Sequence, residues 1–261
     1  MRGIKADTAP LLWPDLSDLQ ASGMPTETAS FEIRQSFRSR YARIQILPRR
    51  HVRLTVPRGF HPSEVRELIL KKTAWLTRVL QDLKQKESVL NPEEEGPFPA
   101  RLCLRALGEN PAITWETVSG SRIRLEETGF GALRIRRGQE VEGAAVTRTL
   151  KKWLLLKANR TLPGELNRLA RETGLHFRSV SLRSPRTRWG SCSVRRDIML
   201  SSKLLFLPPD LVRYVLVHEL SHTVHLDHSR RFWERVAAHE PDWKRCRLLL
   251  RSAWQFLPSW L

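Results

Sequence analysis

Four of the chain's eight histidines lie in one stretch, VLVHELSHTVHLDHSRRFW, which runs from residue 215 to residue 233. His218 and His222 are four residues apart, so on a helix their imidazoles share a face, one turn from each other. Glu219 directly follows the first of them. This HExxH pattern predicts a zinc ion (Zn2+) held by two imidazoles, with the carboxylate as the general base that takes a proton from water.

The helix that carries this pattern is predicted to be largely buried. The alternative is a chance match on a helix whose histidines only face solvent. A buried His-Glu-His set without a binding partner costs several kcal/mol, and metal binding removes that cost. The metal site is favoured by the apolar residues that cover much of the helix: Leu211, Val212, Val215, Leu216, Val217, Leu220 and Val224.

A third protein ligand has to come from His225 or His228. His225 would lie nearly in line with the other two imidazoles on a straight helix, whereas zinc prefers a tetrahedral arrangement. His228 reaches the same ion if the chain leaves the helix near residue 225 and folds back. Metzincins have the same spacing of three histidines. We therefore expect His228 to be the third ligand, with His225 as the main alternative.

The residues around these two histidines favour a turn. Asp227 is a turn former or a carboxylate that orients a ligand, and Ser229 suits the N-cap of the next helix. If His228 is the ligand, His225 lines the cleft or hydrogen-bonds to a ligand from outside. Three protein ligands leave one position for water, as in catalytic zinc sites, whereas a structural zinc has four.

Sequence patterns upstream predict the elements that position this site. Residues 1–29 lack periodicity, which predicts a poorly ordered extension. Residues 30–138 contain alternating segments typical of strands, among them VRLTVP and RLCLRAL, and one amphipathic helix that begins at Pro62. Residues 139–261 are mainly helical. We therefore expect an α+β protein, with a small β-rich N-terminal unit and a C-terminal metal-binding catalytic domain.

An arginine-rich turn, RSPRTRWGSCSVRR, precedes the histidine helix. Arg188 in this turn is a candidate to bind an anionic substrate or to stabilise an oxyanion. A solvated basic face is an equal alternative for these arginines. We expect Trp189 to pack in the core, and Cys192 to be a buried packing residue, because free cysteines usually are.

The composition is that of a globular protein. The chain of 261 residues has no apolar run long enough for a membrane span, and its three cysteines form no CxxC pair. We therefore expect a cytoplasmic protein without a membrane partner. The net charge of +18 reflects either solubility and arginine bias, or attraction to polyanions such as nucleic acid.

Several motifs in order resemble the YgjP-like metallopeptidase domain family, a zincin-type group more distantly related to SprT-like proteins. They are TRWGSC, then IMLSSKLLFLPPDLVRYVLVHELSHTVHLDHSRRFW, and upstream RSRYARIQILPRRHVRLTVPRGF and KKTAWL. The resemblance spans about residues 31–255. It implies a zincin-like domain over 139–261, zinc on His218, His222 and His228, and a catalytic Glu219. The family usually has a glycine in the turn after WGSC, where this chain has VRRD.

These features favour a zinc-dependent hydrolase, most of all a metallopeptidase acting on a peptide substrate. One alternative keeps the metal and presents a nucleotide phosphoanhydride to the activated water from the arginine-rich surface. Another is a basic nucleic-acid-associated protein with a structural zinc. HExxH specifies activated water and not the bond that the water attacks.

Overall fold

The computed structural model describes Ala29 and residues 31–47, 51–90 and 98–261. Apart from Ala29, the extension predicted for residues 1–29 lies outside the described residues. The described chain has five α-helices and small three-stranded sheets, which is an α+β architecture. It divides into two compact units, Met1–Leu90 and Asn91–Leu261.

In its described residues, the first unit contains one sheet and one long helix. Its elements are β1 (Phe31–Ser36), β2 (Arg43–Leu47), β3 (His51–Pro57) and α1 (Pro62–Leu90). The sheet has the order β1-β3-β2, with β1 parallel and β2 antiparallel to β3.

Alternation along β3 explains how this unit builds its core. Val52, Leu54 and Val56 are buried, and the residues between them are only partly so. Because side chains of a strand alternate between faces, one apolar face of the sheet packs against the apolar side of α1. Val65 and Ile69 of α1 belong to the same cluster.

The second unit begins with the same arrangement. Its elements here are β4 (Ile113–Val118), β5 (Ile123–Glu127), β6 (Leu133–Gly138) and α2 (Gly143–Thr173), and the sheet order is β4-β6-β5 with the same strand directions. Some of the buried positions repeat at one constant offset: Leu54, Val65 and Ile69 correspond to Ile135, Val146 and Leu150. The strand–strand–strand–helix motif is therefore an internal repeat.

A third sheet of the same order leads to the histidines. It consists of β7 (Ser179–Arg183), β8 (Gly190–Cys192) and β9 (Asp197–Ser201), in the order β7-β9-β8. A 3-10 segment follows at Ser202–Phe206. The chain then forms α3 (Pro209–Ser221), α4 (Arg230–His239) and α5 (Trp243–Leu250).

Three features differ from the sequence predictions. Residues 101–107, expected to form a strand, contain two isolated bridges and a 3-10 turn at Arg105–Leu107. The WGSC turn contains a short strand, β8. The boundary between the units falls after residue 90, where the sequence pattern placed it between 138 and 139. The sheet formed by β4, β5 and β6 belongs to the second unit, because Leu133 and Ile135 share a hydrophobic core with α2 and α3.

Candidate metal centre

Helix α3 holds the first histidine and the glutamate in the interior of the second unit. Pro209 suits its first turn, where no backbone N–H is required, and its buried residues include Val215, Leu216, Val217 and Leu220. The helix ends at Ser221, so His222 is its C-terminal cap and not an interior residue. The chain leaves the helix earlier than the sequence pattern predicted.

The turn after α3 brings three imidazoles together. Nε2 of His218 lies 3.2 Å from Nε2 of His222 and 3.2 Å from Nε2 of His228. The ligand atoms of the three residues all lie within 4.8 Å of one another. Among the described residues, this is the group of His, Cys, Asp or Glu side chains that could hold a metal ion.

The spacing of the three nitrogens fits a metal ion. Metal–nitrogen bonds of about 2.0–2.1 Å in a tetrahedral complex place two nitrogens roughly 3.3 Å apart. The observed separations of 3.2 Å are close to that value. The donor set also fits, because neutral imidazole is a common ligand of transition metals.

Burial favours the neutral form of two of these imidazoles. Desolvation, with smaller contributions from the neighbouring His222, His228 and Arg247, lowers the pKa of His218 to about 3. Desolvation also lowers the pKa of His222. A neutral imidazole has a free lone pair, which is the form that binds a metal ion.

The backbone of the turn orients one ligand. Nδ1 of His222 lies 2.9 Å from the carbonyl oxygen of His225. Because a carbonyl only accepts, Nδ1 carries the proton and Nε2 is left free to bind a metal. His225 therefore contacts a cluster histidine from outside, through its backbone and not its ring. Nδ1 of His218 is buried and has no partner among the described residues.

Glu219 is buried beside the cluster. Its residue exposure is 6%, and desolvation raises the pKa of its carboxyl to about 8. Its Oε2 atom has no hydrogen-bond partner among the described residues. A buried carboxylate oxygen without a partner is costly, and such groups are concentrated at functional sites.

Gly190 of β8 lies directly against this carboxylate. A Cβ atom added at Gly190 would lie 2.6 Å from Oε1 and 2.7 Å from Cγ of Glu219, closer than van der Waals contact allows. Trp189 holds the strand from the other side, since it is buried and stacks on Trp254 at 4.3 Å. In the WGSC motif, Gly190 therefore allows the backbone to approach the Glu219 carboxylate, and Trp189 anchors that backbone in the core. The predicted core position of Trp189 is confirmed.

Aromatic residues of α4 close the other side of the cluster. The ring of Phe232 stacks on His222 at 4.4 Å and is fully buried. Trp233 lies 5.8 Å from His218 and 5.6 Å from His228, centroid to centroid. These rings fix the orientation of the imidazoles, because a packed side chain cannot rotate away.

The other candidate residues lie outside the cluster. Oδ1 of Asp227 accepts a hydrogen bond from the backbone N–H of Ser229, so this carboxylate forms a turn. Ser229 is the N-cap residue of α4, although its side chain makes no capping bond. Arg188 is exposed and has no hydrogen bond or ion pair within the described part of the chain. Cys192 is half-buried, and desolvation raises the pKa of its thiol to about 11.

Comparison with family models identifies the class of protein. The model of the YgjP-like metallopeptidase domain matches residues 40–253, which is most of the chain. The chain belongs to this family. A search of curated proteins and a search of solved structures gave no match. Within the described residues, no helix is both long and apolar enough to cross a membrane.

Proposed function

We propose that this protein is a zinc-dependent metallopeptidase with a zincin-like catalytic domain. The observation that carries the proposal is the cluster of three imidazoles with a buried carboxylate beside it. Membership of a metallopeptidase family supports it. The three cysteines, all free, support the cytoplasmic location that the sequence predicts.

In this proposal His218, His222 and His228 hold the zinc ion through their Nε2 atoms. A zinc ion with three protein ligands supplies a water molecule whose pKa falls to about 7, and it polarises the carbonyl that is attacked. The hydrogen bond from Nδ1 of His222 to the carbonyl of His225 keeps one ligand in the required tautomer.

Glu219 acts as the general base. Its carboxylate takes a proton from the attacking water and passes it to the leaving amine. The apolar surroundings that raise the pKa of Glu219 also exclude bulk water, so the carboxyl group holds the proton until the leaving amine takes it. A nearby cation favours the ionised carboxylate that a base requires.

The number of ligands supports catalysis over a structural role. Structural zinc sites have four protein ligands and no water position. The described residues offer three, and Glu219, which directly follows one of them in the sequence, is a carboxylate that a structural site would not need. Arg188, the candidate for nucleotide binding, makes no described contact with the cluster, so the nucleotide hypothesis becomes an outcome of the test.

A single substitution tests the proposal. Glu219→Gln removes the base and keeps the shape of the side chain, so we expect hydrolysis to fall at least about 100-fold while bound zinc stays stoichiometric. Glu234→Gln is the matched control, because Glu234 is exposed and its carboxylate pairs with Arg230. Both variants and the wild type are measured for metal content and against peptide and nucleoside triphosphate panels. Hydrolysis of nucleotides alone, lost in Glu219→Gln, contradicts the peptidase proposal.

A further inference from the structure

A basic groove lies on α5, beside the aromatic wall of the metal centre. Its lining consists of Trp243, Lys244, Arg247, Leu248 and Arg251, and we call it the Arg247 groove. It contains three cationic side chains, one aromatic ring and no acidic residue. Trp243 stacks on Trp233 at 4.4 Å, which connects the groove to the cluster.

The guanidinium of Arg247 is held in place by an aromatic ring. Its Cζ atom lies 4.6 Å from the ring centroid of Trp233, a cation–π contact. The same ring lies 5.6 Å from His228. One aromatic side chain therefore separates this cation from a proposed metal ligand.

Within the described residues, no carboxylate forms an ion pair with Arg247, Lys244 or Arg251. Some exposed arginines of the unit do have such partners, as Arg168 does with Glu165 and Glu172, whereas Arg247 is held by an aromatic ring instead. A guanidinium fixed by stacking keeps its planar fork of N–H donors available and binds a carboxylate in a bidentate manner. Because the side chain is already ordered, little conformational entropy is lost on binding.

We propose that the Arg247 groove binds an acidic side chain of the peptide substrate. This proposal rests on the proposed peptidase function, and it states that the peptidase prefers substrates with an acidic residue near the cleaved bond. The two ring contacts, 4.6 Å and 5.6 Å, place the Cζ atom of Arg247 no more than about 10 Å from the ring centroid of His228. An extended peptide covers that distance in about three residues, so the acidic residue lies within a few positions of the bond that is cleaved.

Binding of two matched peptides tests the groove without cleavage. The blocked hexapeptides AAELAA and AAQLAA differ only in one carboxylate, and each is titrated calorimetrically into zinc-loaded protein that contains Glu219→Gln. We expect the acidic peptide to bind at least about tenfold more tightly, as for a charge-assisted pair of hydrogen bonds. In Arg247→Gln that ratio falls to about one, and in Arg247→Lys it is intermediate.

Arg171→Gln is the control, because it removes the same charge from an exposed arginine in the last turn of α2. It keeps the preference for the acidic peptide. Equal binding of the two peptides to the protein with Arg247 intact overturns the proposal. The proposal is also overturned if inorganic pyrophosphate binds in a way that depends on Arg247 while the two peptides bind equally well. Selective binding with no hydrolysis of either peptide by the wild type leaves the groove intact and contradicts the peptidase function instead.

Discussion

His228 and His225 are three residues apart, and only one of them brings its imidazole to the cluster. We expect His228→Gln to weaken zinc binding more than the roughly 10–100-fold that loss of an outer hydrogen bond costs, because a direct ligand is removed. His225→Gln is the matched control: the carbonyl that holds His222 belongs to the backbone and remains. Competition with a chromophoric chelator measures both affinities. Equal losses of zinc affinity in the two variants would contradict the proposal that His228, and not His225, is a direct ligand.

Gly190 is the residue whose lack of a side chain matters most to the base. Gly190→Ala places a Cβ within 2.6–2.8 Å of the Glu219 carboxyl group. We expect the carboxylate to be displaced and kcat to fall at least about tenfold, since a shift of about 1 Å at a reacting group costs up to 100-fold. Gly164→Ala in α2 is the control, because nothing lies within 4 Å of its added Cβ. It should stabilise the helix by about 0.5–1 kcal/mol and leave kcat unchanged.

At the scale of the element, the turn between β8 and β9 contains a strained residue. Arg196 has a φ of 62° and is the non-glycine residue with positive φ in the described chain. This conformation costs an L-residue about 1–2 kcal/mol, and a glycine adopts it freely. Arg196 lies in the VRRD stretch of this turn, where a glycine would adopt the same conformation without strain.

We expect Arg196→Gly to raise the free energy of unfolding by about 0.5–1 kcal/mol, because strain is relieved and part of the gain is offset by the freedom of glycine in the unfolded chain. Arg195→Gly is the control. Arg195 precedes it in the same exposed turn without a positive φ, so that substitution should destabilise the protein slightly. Chemical denaturation measures both. If both substitutions lowered the free energy of unfolding equally, the strain at Arg196 would not contribute measurably to stability.

The start of α3 could be predicted from sequence, but its end could not. Pro208, Pro209 and Asp210 are local start signals, whereas no glycine or proline marks the end at Ser221. The turn is stabilised by contacts of its own side chains, such as Thr223 Oγ1 donating to the carbonyl of Leu220 at 2.7 Å. The three histidines that cluster were still the set that the spacing favoured, because zinc geometry disfavours three imidazoles in line and so favours His228 over His225.

Contacts that join distant parts of the chain had no sequence signal. The approach of Gly190 to Glu219 and the stacking of Arg247 on Trp233 depend on how β8, α4 and α5 meet α3. The internal repeat also lacks a clear signal in the sequence. Only the spacing of buried positions is kept between its two copies, as for Val65 and Val146, and apolar spacing alone is common to many amphipathic helices.

At the scale of the whole molecule, the two units have separate hydrophobic cores. One core contains Val52, Leu76 and their neighbours in the first unit. The other contains Phe232 and the buried residues of α3, which surround the histidines. A ligand that binds only the folded state stabilises the unit that it binds. Bound metal is therefore expected to affect the two units differently.

Removal of the metal tests this difference by hydrogen exchange. At 1,000 times its Kd a metal ion adds about 4 kcal/mol to the stability of the folded state, so chelation should speed exchange of the most protected amides in α3 and β9 by up to about 1,000-fold. Peptides from residues 51–80 should exchange at an unchanged rate, because they belong to the first unit and the clustered histidines belong to the second. In His225→Gln, chelation should still speed exchange in α3 and β9. In His228→Gln, chelation should change exchange little, because that variant binds the metal weakly. Equal acceleration in both units would mean that they unfold as one cooperative body, and no acceleration in α3 would mean that the cluster binds no metal.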